Sequence, residues 1–476
     1  MISHVALVLW LALAQAAPPA TSAFQASYAR GMQALAKGEL DAAEAAFREA
    51  QRLKPRNALV HFQLAEIYVQ RRQFREAIVN LRQAVALDRR EVQFHFRLAV
   101  LYAQLERFHD AQQTLKALLR MRPGYADAYL LLGRVAQQQD EHALAEKHLR
   151  HYLRLRPGDP QGLWQLGASL LAEEKFQDAE PLLLQALKKN SNLGAAHYNL
   201  GVLYSRRGQH EQAKEHLEAA TRLLPQDAKA YYELGNVLAR LDDQANAERA
   251  LRKALALDPA YVEALYALGT LLRRTGRTEE ASQVLAEYER LSSAALEKRE
   301  RSRRVSAYLW EVKEFLEKDR LDDAEAKLRE VLAIDPENDM AYYRLAQIAY
   351  LRHEYDRALE TVQVALRQKE FEPAYYMLEA MCLERLGRDQ DAATAYERLV
   401  SLVDYADAYL ALGRLELRRG NTAKGVAHLR RAVALEPQEP EFRLALAEAL
   451  EKAGNHLESR KQRAEAEALR AKSTSR

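Results

Sequence analysis

The chain repeats itself every 34 residues, and no other property narrows its fold as sharply. Leu-Gly pairs stand one period apart at Leu132-Gly133, Leu166-Gly167, Leu200-Gly201, Leu234-Gly235 and Leu268-Gly269. Twelve residues after each glycine comes an alanine: Ala145, Ala179, Ala213, Ala247 and Ala281. Another twelve on, proline recurs as Pro157, Pro225 and Pro259. A fixed period of this length is the signature of stacked supersecondary repeats. A single core rarely grows to the 476 residues of this chain.

Counted outward, repeats begin at 24, 58, 92, 126, 160, 194, 228 and 262 without a gap. They resume at 305, 339, 373 and 406, and a degenerate last repeat begins at 440. Within each repeat, positions 1–14 and 18–31 carry apolar residues at helical spacing. A short turn separates them and often holds glycine, as at Gly38, Gly208, Gly387, Gly420 and Gly454. Proline near the repeat's end stops the second helix before the next begins. Each repeat therefore reads as a hairpin of helix A, turn and helix B. Two helices approach closely only where side chains are small, so position 8 of helix A is expected to meet position 20 of helix B. A hairpin cannot bury its apolar face alone, and stacking on its neighbours completes a continuous core.

This pattern resembles the tetratricopeptide repeat. The match rests on the small residue at position 8, the alanine at position 20 and the proline at position 32. The family's tryptophan at position 4 is replaced here by residues such as Tyr129, His197 and Tyr231. The resemblance covers roughly residues 24–470. It implies an all-α solenoid, a right-handed superhelix of about 13 helix–turn–helix hairpins whose A helices line a concave groove.

Outside the repeats, the N-terminus carries an apolar run from Val5 to Ala14, followed by Ala14-Gln15-Ala16. An apolar core ending in A-x-A fits a signal peptide over residues 1–16, with a leader to 23. The run is about half the ~20 residues of a membrane span. The expectation is export to a periplasmic or extracellular compartment, the alternative being an uncleaved N-terminal anchor. Residues 24–295 then form an eight-repeat array, 296–304 a basic helical linker and 305–439 a four-repeat array. The degenerate repeat and a capping helix occupy 440–476. The linker's cluster of Lys298, Arg299, Arg301, Arg303 and Arg304 reads either as solvated helix or as a contact for an acidic partner or anionic surface.

Charge is nearly balanced, 70 basic against 67 acidic residues, which gives no whole-protein nucleic-acid footprint. One cysteine, Cys382, excludes an intramolecular disulfide framework and a cysteine-rich zinc site. Its apolar helical setting reads as a buried small hydrophobe. No phosphate-binding, dinucleotide, serine-hydrolase or zinc-protease motif occurs. His142, His148 and His151 cluster in repeat 4, and two of them share a helix face, but no third close ligand is fixed. No catalytic residue, metal site or cofactor is therefore expected. A fused catalytic domain would need roughly 100 or more residues outside the repeats.

Positions 4, 7, 8 and 11 of helix A are the buried stripe, which leaves positions 2, 5, 9, 12 and 13 for the groove. Position 5 is aromatic in seven of the first eight repeats, including Phe62, Phe96, Trp164, Tyr198, Tyr232 and Tyr266. Such a ladder packs between neighbouring A helices, serves a ligand, or does both. The other groove positions of repeats 1–3 are mainly apolar. Those of repeats 6–8 are basic and polar: Arg206, Lys229, Asn236, Arg240, Arg273 and Arg274, with Glu263 the exception. Aromatic residues beside arginine are common interface anchors. Asn199 and Lys229 match part of the carboxylate clamp of some family members, but Trp164, Ala168 and Glu233 break it, so the clamp is not expected. The expected function is a non-catalytic scaffold that binds a protein or an extended peptide carrying acidic residues. The alternative is an accessory subunit of an envelope enzyme or of polysaccharide or secretion machinery.

Overall fold

The computed structural model describes residues 23–474, so the expected signal segment 1–16 lies outside the described residues. The described chain is all-α, with twenty-five helices and no strand. Helices pair as hairpins, such as Gly194–Arg206 with His210–Leu223 and Ala228–Arg240 with Gln244–Leu257. The chain reverses between A and B by a left-handed residue at position 15 of every repeat. Six of these are glycines, such as Gly208 (φ 76°). Seven are not, among them Glu174 (φ 59°), Asp242 (φ 59°) and His353 (φ 63°). The backbone tolerates a side chain there, although glycine holds this conformation with less strain.

Several starts are capped by side chains placed one residue ahead of the helix. Asp227 accepts hydrogen bonds from the backbone N–H groups of Lys229 (2.9 Å) and Ala230 (3.3 Å). Asp243 accepts from Asn246 N and Asn338 from Ala341 N. These oxygens satisfy N–H groups that the first helical turn leaves without partners.

The hairpin crossing is close, and its nearest obstacle is not the expected one. A Cβ built at Gly235 would stand 2.7 Å from Leu251 Cγ at position 24, and 3.3 Å from the backbone oxygen of Ala247 at position 20. Gly133, Gly167, Gly201, Gly269 and Gly413 meet the position-24 leucine of their own helix B in the same way. The alanine lets the backbones approach, and the leucine fills the space that the missing Cβ leaves.

A second regularity ties each hairpin to the next. Glutamates at position 21 pair with a basic residue of the following repeat: Glu44 with Arg71, Glu146 with Lys175 (2.9 Å), Glu180 with Arg207, Glu248 with Arg277 (2.7 Å) and Glu325 with Arg352. The Lys175 and Arg150 hydrogen bonds hold the Glu146 carboxyl below its ordinary range.

The chain forms two compact units. Among the described residues one gathers 23–53, 63–82 and 299–474; the other holds 54–62 and 83–298. In the first, Arg82 donates to Val400 O (3.0 Å) and pairs with Asp404 (3.2 Å), while Arg75 lies 5.5 Å over the Tyr376 ring. In the second, a single apolar core runs from Ala136 through Leu200 and Leu234 to Ala281. The basic stretch 296–304 lies inside one unbroken helix of 40 residues, Thr278–Glu317. Cys382 is buried, and burial pushes its thiol up to about 12, which suits an inert packing residue.

Candidate functional site

Two A helices of the second unit, Ala228–Arg240 and Val262–Arg274, bound a cavity of about 920 Å³. Five groove residues expected from the sequence line it: Tyr232, Asn236, Arg240, Tyr266 and Arg274. They converge because positions 5, 9 and 13 lie about one turn apart on one helix face. The 34-residue period sets the same face of the next A helix alongside.

The remaining expected residues lie elsewhere. Lys229 borders a shallower depression with Leu223, Asp227 and Tyr261. Arg206 and Arg273 are exposed, and neither lines the cavity. Tyr198 and Trp164 pack half-buried against the unit's core. Burial pushes the Tyr198 phenol up to about 12. Phe62 packs on a ring of the following repeat, Phe94 at 5.1 Å between centroids, and Phe96 on the last residue of its own repeat, Tyr125 at 5.4 Å. Tyr232 lies likewise 5.0 Å from Tyr261. Much of the aromatic ladder is thus engaged in packing within and between repeats. Tyr266 is the exception, because it stays 53% exposed at the cavity edge although it touches Tyr288.

The cavity's charge is more mixed than the sequence reading expected. Glu233, Asp242 and Glu263 line it beside the two arginines. Glu233 is half-buried; that burial raises its carboxyl above the ordinary range, and Arg206 offsets this only in part. Arg274 is already engaged, donating to Ala239 O (3.1 Å) and standing 3.7 Å from Asp242.

Arg240 differs from the other arginines at position 13. Each of those reaches back to position 12 or 15 of the preceding repeat. Arg206 faces Glu174 (3.9 Å) and Arg274 faces Asp242, both at position 15. Arg385 donates to the Tyr350 hydroxyl (3.2 Å) and Arg418 to Glu384, both at position 12. For Arg240 those two positions are Ser205 and Gly208. Neither supplies a carboxylate or a phenol, and among the described residues Arg240 has no ion pair or hydrogen-bond partner. It is a free guanidinium beside an open amide and an open aromatic ring. No motif scan finds this property, because it depends on what the previous repeat lacks.

Two of the three histidines of repeat 4, His148 and His151, pack against the Tyr129 ring. His151 stacks on Tyr129 at 3.9 Å and its Nδ1 accepts from Arg154 (2.7 Å). Burial lowers the pKa of His148. Among the described residues no group of three His, Cys, Asp or Glu side chains could hold a metal ion.

Comparison with known proteins agrees with this architecture. Models of the tetratricopeptide repeat match residues 34–95, 69–121, 170–241 and 315–382, and further such models match 101–160, 374–403 and 406–449. The model of the middle TPR-like domain of cilia and flagella-associated protein 70 matches 219–312. The TPR repeat-containing protein PA4299 of Pseudomonas aeruginosa is 38% identical over 81 residues, which is 17% of this chain and 33% of that protein. The match thus spans about one third of that relative's length. Among solved structures, residues 41 to the end of MamA from Desulfovibrio magneticus are 25% identical, with 36% of this chain and 96% of that one covered and a TM-score of 0.33. YrrB, described as a TPR protein with an unusual peptide-binding site, is 23% identical, with 39% and 96% covered and a TM-score of 0.33. The period of 34, the glycine–leucine crossing in hairpin after hairpin and family matches along most of the chain lead to one assignment: this chain belongs to the tetratricopeptide repeat family.

Proposed function

We propose that the chain is a non-catalytic protein–protein interaction scaffold that captures an extended peptide segment in the cavity between helices Ala228–Arg240 and Val262–Arg274. The observation that carries this reading is the unpartnered Arg240 guanidinium beside Asn236 and the exposed Tyr266 ring. The segment offers one carboxylate to Arg240 and one apolar or aromatic side chain to Tyr266. Asn236 supplies an amide that bonds an extended backbone. Glu263 and Asp242 disfavour a run of acidic residues, so a single carboxylate fits better than a polyanion. The apolar N-terminal run and Ala14-Gln15-Ala16 support export, with the groove working in an extracytoplasmic compartment.

The test is selection of peptides from a random displayed library, with counter-selection on Arg240→Ala and Tyr266→Ala. The expected consensus pairs an apolar residue with one Asp or Glu and loses binding to both variants. Enriched peptides that bind the variants as well as the parent would place the site elsewhere. N-terminal sequencing of the endogenous protein tests export: a chain that retains Met1 in a soluble cytoplasmic fraction rules it out.

A further inference from the structure

The helix Thr278–Glu317 leaves twelve consecutive residues, 293–304, exposed. On either side of that stretch charges are paired: Arg290 with Glu287, Lys313 with Glu317, and Glu314 with Lys318 just past the helix end. Between them, Arg299, Arg301, Arg303 and Arg304 have no ion pair or hydrogen-bond partner among the described residues. A basic run alone is usually solvated surface. A second observation sets this one apart. Trp310 is 62% exposed, and the spacing 299, 303, 306, 310 places Arg299, Arg303, Ser306 and Trp310 on one helix face. The opposite face carries Val305 and Val312, which pack with Leu328 and Val331 in the core. The indole is therefore turned away from the apolar cluster that this end of its helix joins.

We propose that this face docks on an anionic phospholipid surface. The geometry favours a bilayer over a protein partner. The apolar footprint is Leu296 and one indole ring on a single helix, whereas a stable protein interface buries about 800 Å² on each partner. A lipid surface asks for less: several basic side chains near the phosphates and one amphipathic ring at headgroup depth. The helix lies on the membrane and does not cross it, since no helix among the described residues is long and apolar enough to span one.

The test is co-sedimentation of the full chain with vesicles of phosphatidylcholine alone and of phosphatidylcholine with phosphatidylglycerol. The readout is the ratio of anionic to neutral binding. The apolar run Val5–Ala14 does not set that ratio, because it carries no charged residue. The parent should prefer anionic vesicles at low salt and lose the preference at high salt. Arg299→Gln with Arg303→Gln should lower the ratio about 25-fold, at about fivefold per arginine near the surface. Trp310→Ala should weaken binding to the anionic vesicles, and Arg240→Ala should leave the ratio unchanged, which separates this face from the groove. Far-UV circular dichroism checks that the variants stay folded. A parent ratio near one, or a ratio that survives the double substitution, overturns the proposal. So does equal, arginine-dependent capture by immobilised polyglutamate, which would assign the face to an acidic protein.

Discussion

Repeats 6–8 and repeats 10–12 use the same hairpin for different ends. In repeats 10–12 the groove side is tied up internally. Gln347 donates to the Tyr343 hydroxyl (2.9 Å), Arg385 to Tyr350 and Arg418 to Glu384. In repeats 6–8 the equivalent of Gln347 is Asn236 and the equivalent of Arg385 is Arg240, and the second is left free. The difference does not lie in these paired residues, an amide matching an amide and an arginine an arginine. It lies in what the preceding repeat offers them. A binding surface in this architecture is made by withholding a partner as much as by placing a side chain.

The largest effect that bears on this comparison is at the crossing. Position 8 is glycine in repeats 6–8 but alanine at Ala346 and Ala380. Gly235→Ala forces a Cβ against Leu251 and should destabilise the fold by about 1–3 kcal/mol. Ala380→Gly should cost about 1 kcal/mol through helix propensity alone. Thermal melts measure both, and equal small effects would mean that the two regions cross at the same distance. Next comes the groove itself. Arg240→Ala should weaken a library-selected peptide about tenfold or more, as the loss of a charge-assisted hydrogen bond implies. Arg385→Ala should leave that peptide's affinity unchanged, as titration calorimetry can check.

A sharper pair exchanges the two states. Gly208→Asp puts a carboxylate at the position Asp242 occupies for Arg274, in a turn where Asp242 already sits at φ 59°. It should engage Arg240 and weaken the peptide about fivefold while leaving the fold intact, the inter-side-chain bond being worth about 1 kcal/mol. Asp242→Gly should remove the carboxylate beside Arg274 while its bond to Ala239 O remains, and strengthen binding by a smaller factor. If neither moves the affinity, the contrast between engaged and free arginines has no functional content.

The smallest effects are in pH. Burial alone would raise Glu325, but hydrogen bonds from Arg357 and Arg352 outweigh it and hold its carboxyl below the ordinary range. Its contribution to stability is present above the unfolded glutamate pKa and is lost as the pH falls through the lowered value. Glu233 has the opposite sign. Its folded pKa is raised by burial, so stability declines as the pH rises through that raised value. Glu233→Gln should therefore raise Tm at neutral pH and not in acid, while Glu325→Gln should lower Tm at neutral pH and not in strong acid. Melts across a pH series check both signs.

Much of this was legible in the sequence, and the period explains why. Phase alone places Leu234, Gly235 and Leu238 on the packed face of one helix and Tyr232, Asn236 and Arg240 on the other. What phase does not carry is the neighbour across a repeat boundary. The position-21 glutamate ladder and the isolation of Arg240 turn on residues about 27 to 35 apart whose pairing follows from how hairpins stack. Arg273 and Lys229 show the same limit from the other side. They share a helix and a sign of charge with the cavity residues, yet a turn of the helix or the length of it carries them out of the site.

The left-handed turn at position 15 has a consequence for how such an array can change over time. Thirteen copies hold one backbone conformation with glycine, aspartate, glutamate, arginine or histidine in place. A single codon there alters the electrostatics of the following groove segment without disturbing the crossing or the core. Each hairpin thus carries its own independent switch for recruiting or retiring a binding surface, and a lineage can re-address the scaffold one repeat at a time.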